Sequence, residues 1–397
     1  MKKIILISAI LLIITAVCRG QRQAGNDDII RVDVRKSYSS KKELILQDFM
    51  DVEYIALETK DDFLNQGSVR AIGKEIILVK NHNNINDGNI FVYDRTGKAL
   101  RKINHKGQGP EEYTYGNTLI LDEDKGEIFV SDIGKRKIFV YDLYGKFKRS
   151  FNEREDGVGI YVEIFNYDRD NLICYYNPYG EEASFALISK QDGSITKEIK
   201  IPYEKKKDKS LNSKSDPYDR VFPGVYHSLI PYSGNWLLYE YSSDTVFTFL
   251  PDYSLRPFII RTPSIQSMDP EVFLFLTLFS DRYYFMEAVK REYNFETRRG
   301  FPRTYFMYDK QEKAFFGYNV YNGDYSTQKE IYMNQLRAVN HEDAWQPLPF
   351  EAFQVVEAYQ LVESYKKGEL KEGKLKEIAA ELDEEDNPVI MLVKHKK

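Results

Sequence analysis

The chain has 397 residues and a formal net charge of −5 with both signs well mixed, which argues against nucleic acid as a partner because phosphate binding wants a net basic footprint. Its two cysteines exclude a disulfide framework, so stability must come from the core. Tyr and Phe are frequent, at 30 and 24 against 2 Trp, and suit half-buried pleated surfaces, so the composition points to an all-β chain.

In chain order, residues 1–17 carry two lysines followed by an apolar stretch too short for a comfortable membrane span. They read as a secretory signal within residues 1–20. Cys18 follows directly, and two outcomes stay open there. One is lipidation of Cys18 as the N-terminus of an envelope lipoprotein. The other is cleavage just beyond, near Gly20, because Val17 is a poor neighbour for lipoprotein processing. Residues 21–28 are polar and read as a tether. Residues 29–34 and 51–59 alternate apolar with charged residues, as half-exposed strands do.

From residue 68 a repeat begins. Tyr93, Asp94, Gly97 and Lys98 return as Tyr141, Asp142, Gly145 and Lys146, a constant offset of 48 residues, and Gly193 continues the series. Short strands joined by Asp/Gly turns at such a period are the signature of propeller blades. Strands at 118–121, 127–132, 138–142 and 147–151 make one complete blade, and the same pattern, more divergent, runs on to residue 318. The last apolar strand, at 388–394, needs partners, as do the N-terminal strands. A ring without an exposed edge is closed most economically by pairing the two ends in one blade. Between them, residues 350–385 show helical spacing: Val355, Val356, Tyr359 and Val362, then Leu375, Ile378, Ala379 and Leu382. The expectation is a single six-bladed β-propeller over residues 29–397, with four-stranded blades and a small helical insertion at about 350–385. Cys174, mid-strand, reads as a small buried residue.

The run Ser131-Asp132-Ile133-Gly134-Lys135-Arg136-Lys137-Ile138, followed by Val140-Tyr141-Asp142 and Gly145, resembles NHL-type propeller repeats, with Lys135 where Asn or His is usual. Three further features are Val52-Glu53-Tyr54-Ile55-Ala56-Leu57-Glu58-Thr59, Gly107-Gln108-Gly109-Pro110-Glu111-Glu112-Tyr113 and Asp386-Asn387-Pro388-Val389-Ile390. With them the chain resembles the envelope six-bladed β-propeller family of unknown function. The resemblance implies the fold and an exported, periplasmic or outer-membrane-anchored location. It brings no catalytic site.

Motifs that carry chemistry elsewhere fall short here. Gly107-Gln108-Gly109 begins like a dinucleotide fingerprint, but Glu112 stands at its third glycine and no long helix opens, so it reads as a blade-to-blade turn. Asp122-Glu123-Asp124-Lys125-Gly126 lacks the ligands of a calcium loop and reads as an acidic turn. His82, His105, His227, His341 and His395 have no metal-ligand spacing, and no G-x-S-x-G occurs. Lys205-Lys206-Lys207, in a polar stretch from 204 to 220, reads as a solvated loop.

In a four-stranded blade with strands A to D, the B–C loops and the D–A links emerge on one face. That face collects residues 81–89, 106–115, 132–136, 178–182 and 293–299, rich in Tyr, Arg and Asn. Loops on a rigid scaffold carry function. The candidate ligand contacts are therefore Lys106, Tyr113, Asp132, Arg136, Tyr293 and Arg299, without catalytic or metal-ligating residues and without a resident cofactor. The expected function is a non-enzymatic, monomeric envelope module binding a glycan, peptide or envelope protein, with no nucleic acid and no membrane contact beyond a lipid anchor. The alternative is a lyase or lactonase with a divalent cation in the channel, the chemistry of some six-bladed propellers, for which Asp132 is one candidate ligand, though its counterpart in the first blade is Asn81 and no consistent ring of ligands emerges.

Overall fold

The computed structural model describes residues 29–81, 87–116, 118–153, 160–176, 184–216, 218–224, 226–338 and 352–396. They form a six-bladed β-propeller of four-stranded blades. Blade 1 comprises Ser68–Ile72, Ile76–Lys80, Asn89–Asp94 and Ala99–Asn104. Blade 2 runs from Thr118–Asp122 to Phe147–Asn152, blade 3 from Tyr161–Asn166 to Ile195–Ile199, blade 4 from Leu229–Tyr232 to Leu255–Thr262, and blade 5 from Val272–Phe279 to Ala314–Tyr321. Blade 6 takes Arg337–Ala338, Ala352–Val356 and Val389–His395 from the C-terminal part, and its outer strand from the N-terminus.

That N-terminal segment acts as a strap. Strand β1 (Ile30–Asp33) lies parallel along Leu255–Thr262, the outer strand of blade 4. Strand β2 (Lys41–Ile45) does the same along Ala314–Tyr321 of blade 5. A short helix, α1 (Leu46–Phe49), then leads into β3 (Met50–Ala56), which pairs antiparallel with Val389–His395 and closes the ring. Only β3 joins the closing blade, where the expectation had placed the N-terminal strands together. The reason lies in the alternation of β1: Ile30 and Val32 are buried against blade 4 while Arg31 points out. Such a pattern completes any half-covered edge, and covering an edge satisfies its unpaired backbone groups.

The recurring Asp and Gly residues sit in the C–D turns. Asp94 Oδ1 accepts from the amides of Thr96 and Lys98 at 2.8 and 3.0 Å, and Asp142 Oδ1 from those of Tyr144 and Lys146 at 2.9 and 2.8 Å. Gly97, Gly145 and Gly193 follow with φ of 89°, 92° and 76°, a region that favours glycine. Each also abuts the end of the preceding blade's outer strand. A Cβ on Gly97 would stand 2.0 Å from the Ala56 carbonyl oxygen, one on Gly145 2.9 Å from Ile103, and one on Gly193 2.5 Å from Phe151. The repeat is thus the joint that seats each of these blades on its neighbour.

Helices α2 (Ala358–Lys366) and α3 (Lys374–Glu381) are inserted between the second and third strands of blade 6. They bury Leu361, Leu375 and Ala379 in a core shared with Tyr54, Tyr325 and Met391. Val355 and Val356, read from spacing as helical, belong instead to the strand Ala352–Val356, paired with Ile390 and Val389. Two adjacent β-branched residues with cross-strand partners favour the pleated surface over the helix. Cys174 is free and fully buried in blade 3.

Candidate binding surface

Two of the connections on the B–C/D–A face are long enough to build their own two-stranded hairpins outside the blades. The link from blade 3 to blade 4 pairs Leu211–Asn212 with Arg220–Val221. The B–C loop of blade 5 pairs Tyr293–Asn294 with Arg299–Gly300. The Asn294 side chain accepts from the Thr297 amide at 2.9 Å, and Arg298 and Phe301 take φ of 54° and 51° to complete the second hairpin.

Guanidinium groups clamp the two hairpins together. Arg298 Nη1 lies 2.8 Å from Asp219 Oδ2. Arg291 donates to the Ser210 carbonyl from Nε at 3.1 Å and from Nη2 at 2.7 Å. Within the first hairpin Arg220 donates to Ser210 Oγ at 2.7 Å and Asp208 Oδ2 at 2.9 Å. Planar forks of this kind fix geometry as well as adding energy.

The base of the first hairpin is ionic and largely withdrawn from water. Lys206 Nζ lies 2.7 Å from Glu240 Oε2 and between the rings of Tyr203 and Tyr241, at 5.3 and 5.0 Å from their centroids. Glu240 is fully buried and also accepts from Ser184 Oγ at 2.9 Å and the Ser242 amide at 3.1 Å. Lys207 reaches Glu271 at 3.4 Å, and Arg303 holds the buried Glu287 at 3.2 Å while donating to the Tyr226 hydroxyl and the Pro223 carbonyl. Burial pushes the Lys206 and Lys209 ammonium groups below the usual lysine range, and the Glu240 charge partly restores both. Lys206 and Lys207 are therefore not part of a solvated loop, as the sequence suggested. Buried carboxylates require counter-ions, and these lysines supply them.

The first hairpin shows two rings to solvent, Tyr218 in its connecting turn and Phe222 just after its second strand. Tyr218 is 95% exposed and Phe222 55%, with the Arg220 guanidinium 5.1 Å above the Phe222 ring. The arrangement offers flat apolar faces beside fixed hydrogen-bond donors. Among the described residues no group of three or more His, Cys, Asp or Glu is placed to hold a metal ion.

A family model described as a domain of unknown function, DUF4934, matches residues 29–394. The chain belongs to the DUF4934 family. The six-bladed family of unknown function suggested by the sequence is thereby borne out. A presumed exported protein from Bacteroides fragilis shares the fold of this DUF4934 protein, with a TM-score of 0.58 and 17% identity over 93% of this chain and 100% of that one. A member of the DUF4221 family from Bacteroides vulgatus has a TM-score of 0.49 at 11% identity, over 88% of this chain and 100% of that one. Virginiamycin B lyase from Staphylococcus aureus reaches 0.34 at 13% identity, over 65% of this chain and 74% of that one, a likeness too distant to carry chemistry. No curated protein matches the sequence significantly. Among the described residues no helix is long and apolar enough to cross a membrane.

The candidate residues of the DUF4934 chain do not form one site. Tyr293 and Arg299 share the blade 5 hairpin, Arg299 exposed and Tyr293 half-buried against Phe295 and Phe301 at 4.9 and 5.6 Å. Lys106, Tyr113, Asp132 and Arg136 lie in the sector of blades 1 and 2. Tyr113 is fully buried, its hydroxyl donates to the Gly88 carbonyl at 2.6 Å, and burial pushes that hydroxyl up to about 12. Asp132 is also fully buried, and its carboxylate accepts from the amides of Thr114, Tyr115 and Lys135. Both are turned inward to hold backbone, so neither presents a surface to a ligand. Lys106 and Arg136 are exposed, and Arg136 has φ of 52° at the tip of its turn. Residues 82–86 and 178–182 of the expected face, Cys18, the leader and the tether lie outside the described residues. The exposed rings Tyr218 and Phe222 are not among the residues the sequence singles out. Their signal was the placing of large aromatics in an otherwise polar, proline-containing stretch, Asp216-Pro217-Tyr218-Asp219-Arg220-Val221-Phe222-Pro223.

Proposed function

We propose that this DUF4934 protein is a non-catalytic binding module of the cell envelope that recognises a glycan through the paired hairpins of blades 3–5. The observation that carries the reading is the clamp between Arg298 and Asp219, which holds two added hairpins in one orientation and leaves Tyr218 and Phe222 facing solvent. Rings pack on the apolar faces of sugars, and adjacent guanidinium and amide groups bond their hydroxyls. Rigid placement lowers the entropy cost of binding. The apolar leader before Cys18 supports export, and mass spectrometry of the N-terminal peptide distinguishes a diacylated Cys18 from a chain beginning near Gln21.

The test is a screen of the wild-type protein and its Tyr218→Ala and Phe222→Ala variants on an array of bacterial polysaccharides and peptidoglycan fragments. Binding that falls at least tenfold in both variants, with unchanged melting, supports the reading. Capture of peptides alone, or binding untouched by both substitutions, overturns it.

A further inference from the structure

In the sector of blades 6 and 1, away from the hairpins, a groove of about 670 Å³ opens between helix α2, the segment that follows α3, and the link into blade 1. Its apolar lining includes Leu64, 56% exposed, together with Val362 and Leu382. Its wall is the run Asp383-Glu384-Glu385-Asp386. The two sides are locked together by one buried side chain. Asn387 Nδ2 donates to the carbonyls of Glu58 and Phe63 at 3.0 and 2.7 Å, and its Oδ1 accepts from the Asn65 amide at 2.9 Å. The groove is therefore preformed.

Among the described residues, Glu384 is the one member of the wall with a cation at ion-pair distance. Lys366 pairs with Glu384 at 2.6 Å, and Lys60 is drawn to Glu58 at 2.9 Å. Asp386 Oδ2 accepts from the Asp383 amide at 2.8 Å, which holds the run in place without neutralising it. Helix α3 ends at Glu381, just before the run, and the carbonyl end of a helix adds negative potential. An exposed leucine beside a fixed anionic wall matches a ligand with both an apolar and a cationic part.

We propose that this groove docks a basic peptide segment of a partner protein, with one bulky apolar side chain packed on Leu64 and flanking Lys or Arg side chains along Asp383, Glu385 and Asp386. The site is distinct from the glycan surface above and stands or falls separately.

The experiment is fluorescence anisotropy with the labelled peptide Lys-Leu-Lys-Leu-Lys, alongside Lys-Ser-Lys-Ser-Lys and Glu-Leu-Glu-Leu-Glu. The full protein, a Leu64→Ser variant, an Asp383→Asn/Glu385→Gln variant and a charge-matched Glu75→Gln/Glu198→Gln control are compared. The expected result is saturable binding of the first peptide alone, weakened at least tenfold in both groove variants and unchanged in the control. Equal loss in the control would mean that only the overall negative charge attracts the probe, and the proposal fails. It fails too if the serine or glutamate peptide binds as well, if no peptide binds, or if the groove variants bind like wild type. Because Leu64, Asp383 and Glu385 are on the surface, either groove variant alone suffices should the other fold poorly.

Discussion

Lys42, on the N-terminal strap, holds Asp309 of blade 5 at 2.9 Å across 267 residues of sequence. The Asp309 side chain is fully buried, and Arg282 reaches the same oxygen at 3.1 Å. The amides of Gln311 and Glu312 occupy its other oxygen at 2.9 and 3.2 Å. Lys42 also reaches Glu312 at 2.5 Å, so the backbone pairing of β2 is joined here by a charged cluster around an anion that cannot reach water.

Lys42→Met removes the bond to Asp309 while keeping the apolar stem that packs near Phe316. The expected cost is about 1–3 kcal/mol, because a buried carboxylate loses one of its two cationic partners. Urea denaturation measures the total. Hydrogen exchange localises it, with faster exchange at residues 41–45 than at blade 2. Unchanged stability would show that Arg282 alone satisfies Asp309.

The same carboxylate makes the fold acid-sensitive. Burial works against ionisation of Asp309, yet hydrogen bonds from Lys42, Arg282 and the two amides outweigh it and hold the group down to about 2. Glu127 is likewise held to about 2: burial opposes, and Arg149 and Lys148 prevail. A carboxyl depressed in the folded state stabilises above its unfolded pKa of about 4 and loses that contribution as pH falls toward the folded value. Melting temperature should therefore decline between about pH 4 and pH 2. The Lys42→Met variant should start from lower stability and show a shallower decline over that window, since Asp309 is then less depressed. Identical acid profiles for the two proteins would remove Asp309 from the account.

The turn glycines divide into the strained joints of the C–D turns and free turns such as the A–B turn of blade 2. Gly97→Ala forces a methyl onto the Ala56 carbonyl oxygen at a φ of 89°, whereas Gly126 at φ of 63° has nothing within 4 Å of an added Cβ. Left-handed backbone alone costs about 1–2 kcal/mol, and overpacking adds about 1–3. Gly97→Ala should lose clearly more stability than Gly126→Ala, with Gly145→Ala between them. Chemical denaturation of the three variants decides, and equal losses would mean that turn conformation alone explains the repeat.

That repeat is what made the fold legible. Asp and Gly recur because each turn meets a neighbouring blade in the same way, and a local constraint repeated in space becomes a period in sequence. The strap had no such signal. The hydroxyl of Thr262 bonds the Val32 carbonyl 230 residues away, and nothing in the alternation of β1 names that partner. The candidate site was legible only as a face. Tyr293 and Arg299 fell on a real hairpin, but Tyr113 and Asp132 were taken for surface because loop residues carry no local mark of turning inward. The acidic groove was equally hidden, since its two sides come from opposite ends of the chain and meet through Asn387.

The ion pair beneath the first hairpin yields a test of how rigidly the binding surface is held. Lys206 is half-buried between two tyrosine rings, and its partner Glu240 has no exposure. Lys206→Met takes from Glu240 its ion-pair partner, leaving Ser184, the Ser242 amide and the Lys209 charge among the described residues, and should cost about 3–5 kcal/mol. Glu240→Gln keeps the shape and the serine contact while leaving the lysine charge uncompensated. A double-mutant cycle should give a coupling of about 1–3 kcal/mol, with the double variant recovering part of the loss because the Lys206–Glu240 pair is removed whole. If the hairpin carries recognition, Lys206→Met should also weaken glycan binding at temperatures where the propeller remains folded, through faster dissociation. Additive single effects would mean that the pair is not a coupled unit. Full affinity in a Lys206→Met protein would show that the Arg298–Asp219 clamp alone fixes the hairpins.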